Sequence, residues 1–112
     1  MSSIVLHPVG TEIESGNGGS FSVYNEFIGI FVNVSAVENL QGDAVLNIQL
    51  QQSPNGTDWY DVNGINITSI NTTGLFSVIP DTPQYITDTS QISWTIAGTN
   101  PSFTFEVTIC TQ

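Results

Sequence analysis

The chain has 112 residues, ten of them Asp or Glu and none of them Lys or Arg, so its formal charge is −10 at neutral pH. Ordinary soluble domains are about 25% charged, with both signs present. The missing cations exclude phosphate forks, Schiff-base chemistry, arginine fingers and nucleic-acid binding driven by counterion release. Internal ion pairs are left to His7 and the α-amino group, and the fold has to rest on apolar burial and backbone hydrogen bonds.

Hydrophobic residues make up 39% of the chain and aromatics 10%, enough for one packed domain. The opening MSSIVLHPVG lacks the basic region and long apolar run of a secretory signal. No stretch approaches the roughly 20 apolar residues of a membrane helix, so neither a membrane nor nucleic acid is an expected partner. Cys110 is the one cysteine, which leaves no intrachain disulfide.

In chain order, residues 3–9 read as a first strand carrying Ile4, Val5, Leu6 and His7. Glu12 to Ser20 (EIESGNGGS) is polar and glycine-rich, and reads as a mobile loop. Residues 1–20 are therefore expected to form an arm and a glycine-rich loop, and residues 21–112 a β-sandwich domain.

Further strands are expected at 20–25 and 27–37. In the second, Ile28, Ile30, Val32, Val34 and Ala36 share one parity. Glu38 to Asp43 is expected to turn a hairpin into strand 43–53, where Ala44, Leu46, Ile48 and Leu50 alternate with polar residues. Ser53-Pro54-Asn55-Gly56-Thr57 is a strong turn signal, because Pro presets the entry and Asn-Gly tolerates positive φ.

Strands follow at 58–63, 65–70 and 74–80. A long strand at 84–97 weakens near Asp88 to Ser90, where a split or bulge is expected. The final strand, 103–111, alternates Phe103, Phe105, Val107 and Ile109 with hydroxyl and acidic residues. Period-two patterning with β-branched and aromatic residues throughout predicts a single-domain, all-β antiparallel sandwich of jelly-roll type.

Few residues carry chemistry. His7 is the one group expected to titrate near neutral pH. It lacks a visible orienting partner and is expected at a surface or interface. Asp58 and Asp61 flank Trp59 and Tyr60, but the spacing lacks the dense acidic pattern of a calcium loop. Trp94 lies in phase with Ile92 and Ile96 and is expected in the core. Trp59 and Tyr60 are the aromatic candidates for ligand contact, with Tyr85 a weaker one. No catalytic, cofactor-binding or metal-binding residues are assigned, and no cofactor is expected.

Two stretches carry a resemblance. Gln52 to Asp61 (QSPNGTDWYD) resembles a strand–turn–strand element of small β-rich structural proteins of tailed bacteriophages. Ile92 to Phe105 (ISWTIAGTNPSFTF) resembles their closing hairpin. The similar order runs from about Asn25 to the C-terminus. Those relatives usually carry a basic residue after the tyrosine of the long strand, where this chain has Tyr85-Ile86-Thr87.

The resemblance implies a non-enzymatic virion protein, made in the host cytoplasm and carried on the capsid exterior. There it would act as a decoration (cement) protein on the major capsid protein, as a homo-oligomer and specifically a trimer. The alternative is a tail, neck or fibre domain that binds host glycans through Trp59 and Tyr60. For the first role, Ile4, Val5, Leu6 and His7 are expected to form the partner interface by adding to a neighbour's sheet edge.

Overall fold

A computed structural model describes residues 2–21, 26–81, 84–87 and 89–111. Nine strands and no helix occur among the described residues. They are β1 (Ser2–Glu12), β2 (Gly16–Phe21), β3 (Glu26–Glu38), β4 (Val45–Gln52), β5 (Tyr60–Ile70), β6 (Gly74–Val78), β7 (Gln84–Tyr85), β8 (Ser90–Ala97) and β9 (Ser102–Thr111).

One sheet has the order β1-β9-β3-β6, with β7 also paired to β3; the other has the order β2-β8-β4-β5. Every ladder is antiparallel. The pairing is nested. β4 pairs with β5, β3 with β6, β2 with β8 and β1 with β9, so the chain behaves as one long hairpin. That hairpin is rolled until β9 also meets β3 and β8 also meets β4. Two packed antiparallel sheets in this order form a jelly roll, as the alternation predicted.

The core lies between the sheets, and the pleat explains its composition. Phe103, Phe105, Val107 and Ile109 of β9 point inward and are fully buried, against Leu46, Ile48, Leu50 and Ile92 of the facing sheet. Each such side chain contributes about 1.5–3 kcal/mol on leaving water. Trp94 joins them, as its phase predicted.

Bulges correct the predicted phase of two strands. In β3 the inward residues are Phe27, Ile30, Val32 and Val34, while Ile28 is half-buried and Ala36 is exposed. The register against β9 slips between Phe27 and Gly29 and again between Val34 and Ala36, and each slip turns the strand over by one residue. The predicted strands 58–63 and 65–70 are one strand, β5, kinked twice. Its inward residues are Val62, Ile65, Ile67 and Ile70, and Gly64 and Ser69 take positive φ of 82° and 61° at the irregularities. The carboxamide of Gln49 closes the larger one by donating to the carbonyls of Leu50, Val62 and Ile65 at 2.8, 3.0 and 3.2 Å.

Turns predicted as hairpins mostly are not. Gln52 to Asp61 does join two paired strands. The 38–43 connection carries the chain from one sheet to the other, as does 98–101. The long strand predicted at 84–97 divides between the sheets as β7 and β8; Asp88 lies outside the described residues, as does part of the strand predicted at 20–25. The predicted arm and loop also differ from expectation. β1 runs along β9 from Ser2 to Glu12, and Gly16 to Phe21 is a strand paired to β8.

Candidate docking surface

The predicted interface residues of β1 are divided by a bulge. Register slips between Val5 and His7, so two consecutive side chains, Leu6 and His7, both turn inward, to 5% and 6% exposure. Ile4 is half-buried and packs on the core, which leaves Val5 alone of the four exposed. Leu6 and His7 are therefore core residues of this chain, not a surface offered to another.

His7 is a joint between sheets. Its Nδ1 lies 3.0 Å from the Phe105 carbonyl and its Nε2 3.2 Å from Glu12 Oε1. Both ring nitrogens face oxygen atoms. The ring meets Trp94 edge-on at 5.0 Å, and Trp94 in turn donates its indole N–H to the Glu14 carbonyl at 3.1 Å. These contacts hold β1, the β1–β2 turn, β8 and β9 together.

The aromatic pair sits beside a self-contained turn. Asn55 Oδ1 accepts from the backbone N–H groups of Thr57 and Asp58, both at 2.9 Å, and Ser53 Oγ accepts from that of Gly56 at 2.7 Å. Asp58 accepts from the Asn55 amide at 2.8 Å, whereas Asp61 accepts from Gln51 across the ladder at 3.0 Å. The two carboxylates thus have separate structural partners. Trp59 is half-buried and Tyr60 is exposed. The side chain of Tyr85 lies outside the described residues. Among the described residues no three His, Cys, Asp or Glu side chains cluster as metal ligands.

The outer faces of the two sheets differ sharply. The β2-β8-β4-β5 sheet shows a ladder of amides and hydroxyls. Gln91 donates to Gln51 at 2.9 Å, Asn47 donates to Thr95 at 3.1 Å, and Asn47 accepts from the Ser69 backbone at 2.9 Å.

On the β1-β9-β3-β6 sheet, one cross-strand row reads Val5, Thr108, Phe31, Ser77 and the next reads Glu106, Asn33, Leu75. All of these except Val5 border an open groove of ≈ 220 Å³ with Glu106 as its one lining carboxylate. Leu75 is 82% exposed, and beside the groove Ile79 is 59% and Val5 53% exposed. A Cβ on Gly29 would stand 3.1 Å from Ile79 and 3.3 Å from Phe31, so the absent side chain lets both lie over the strand.

The sequence reading missed this surface. The available signal was Phe31, an aromatic on the otherwise polar parity of β3, between Gly29 and Asn33. Comparison with protein-family models, with curated proteins and with solved structures returns no significant match.

Proposed function

We propose that this chain is a non-enzymatic virion structural domain that docks on the major capsid protein as a decoration protein and reinforces the head. One observation carries the reading: an apolar groove on the outer face of one sheet and a ladder of amide and hydroxyl side chains on the other. An exposed apolar patch on an otherwise polar domain marks an interaction site. A molecule with no Lys or Arg and a charge of −10 favours a partner that supplies cations, and charge complementarity would speed the encounter. The trimeric arrangement rests on the resemblance alone, and sedimentation of the free protein tests it.

The experiment is co-sedimentation of the purified protein with empty heads, with bound copies counted. Hundreds of copies per particle, and at least a tenfold loss of affinity for Leu75→Asp at unchanged melting temperature, are the expected results. The alternative, a tail or fibre domain that binds glycans, has the exposed Tyr60 in its favour. Glycan binding abolished by Tyr60→Ala or Trp59→Ala, with no binding to heads, would replace the proposal by that alternative.

A further inference from the structure

The two strand orders end in β1, β6, β2 and β5, with the two-residue β7 a further edge beside β6 on β3, and three of those four ends carry features that hinder strand addition. β1 contains Pro8, which has no N–H to offer, and its ladder to β9 slips twice. β2 is glycine-rich and its ladder to β8 slips between Gly18 and Phe21. β5 is kinked twice, at Gly64 and Ser69. β6 has none of these. Gly74 to Val78 match Val34 to Ile30 one for one, without a slip, a proline or a charge, and β6 has no second ladder partner among the described residues. Pro80 and Asp81 come only after the strand has ended.

This regular edge is continuous with the groove, because Leu75 and Ser77 belong to both. A segment paired to β6 would extend the sheet and set alternate side chains beside Leu75 and Ser77. The carboxylates nearby are Glu106 in the groove and Asp81 beyond the strand end. The chain has no Lys or Arg to neutralise either, and its one histidine is engaged with Glu12.

We propose that β6 receives an extended segment of the capsid partner as an added strand, with apolar residues at alternate positions beside Leu75 and with lysine or arginine among the others, the charge that this chain lacks. This rests on the docking reading above and names the element that makes the contact. A second copy of this chain is the disfavoured occupant, because both edges would belong to molecules of charge −10.

Hydrogen–deuterium exchange on the full-length protein, free and bound to heads, tests the inference. Amides of residues 74–78 are expected to exchange at least tenfold more slowly in the bound state, with the β1 and β5 edges unchanged. Head binding should weaken at least tenfold between about 10 and 150 mM salt, as screening removes the attraction between a cationic segment and a chain of charge −10. Binding to heads without added protection at 74–78 would overturn strand addition and leave the docking reading intact. Failure to bind heads at all would overturn the docking reading itself. Protection of 74–78 that grows with the free protein's own concentration would identify a second copy as the occupant and overturn the choice of partner. Affinity indifferent to salt over that range would overturn the cationic segment.

Discussion

The imidazole of His7 lies flat on the ring of Phe105, with centroids 4.1 Å apart and planes 13° from parallel. In the same position it engages the Phe105 carbonyl and the Glu12 carboxylate, so the one histidine joins stacking and hydrogen bonding. His7→Ala should therefore destabilise by about 2–3 kcal/mol, from lost packing and an unpaired carbonyl. Glu12→Gln keeps an acceptor and should cost under about 1 kcal/mol, because Glu12 is partly exposed. Urea denaturation of the two variants checks the ordering; equal costs would show that the ring does not act as a joint.

Gly16 and Gly18 share a strand but not a constraint. A Cβ on Gly16 would fall 2.7 Å from Trp94 Cζ2, whereas one on Gly18 would meet Trp94 at 4.0 Å. Gly16→Ala should cost about 1–3 kcal/mol through overpacking and should shift Trp94 emission. Gly18→Ala should leave both stability and emission nearly unchanged.

Gln49 is half-buried and serves three carbonyls with one amide group. Gln49→Leu leaves these acceptors without their donor and should cost about 1–3 kcal/mol, with faster exchange confined to β4 and β5. Asn47→Ala, in the exposed part of the same ladder, should cost less. Guanidinium denaturation with residue-resolved exchange separates the two.

The pH dependence has one identified contributor. Asp43 accepts from the Thr99 backbone N–H at 3.0 Å and from the Thr99 hydroxyl at 2.8 Å, tying the β3–β4 connection to the β8–β9 connection. The backbone bond first, and the hydroxyl second, hold its pKa below the ordinary value of 3.8. A depressed carboxylate pKa contributes stability above the unfolded value, and that stability is lost as the pH falls through the folded value. An NMR titration should place the Asp43 midpoint below 3.8, and Thr99→Ala should move it upward. Asp43→Asn should remove this acid-side slope.

Ten acids without a fixed cation repel one another in the folded chain. Raising ionic strength from about 10 to 150 mM shortens the screening length from about 30 to 8 Å. The melting temperature should rise over that range, since repulsion within the compact state is relieved. A flat salt profile would show that the carboxylates are too dispersed to interact.

Much of the core was legible because the pleat is a local property. Ala44, Leu46, Ile48 and Leu50, and likewise Phe103 to Ile109, alternate on stretches that carry no extra residue themselves, the bulges falling on their partners β5, β1 and β3, and both sets are buried as written in their parity. Where a bulge intervenes, parity fails from that point onward. Val37, on the polar parity of β3, turns to pack on the core beyond the slip at Val34, while Ala36 turns out. The docking groove was harder to see because two of its apolar members are far apart in sequence: Phe31 and Leu75 meet only when β6 pairs with β3.

The sequence alone determined the strand content, the buried parity of the regular strands, and the absence of any lysine or arginine. Each of those follows from residue identity and the two-residue repeat of an extended chain. The tertiary structure decided which sheet each strand enters, where the bulges fall, that His7 is buried, and that Phe31 and Leu75 border one groove. Those depend on pairings between residues tens of positions apart, and the chain's local pattern does not encode the partner of a strand.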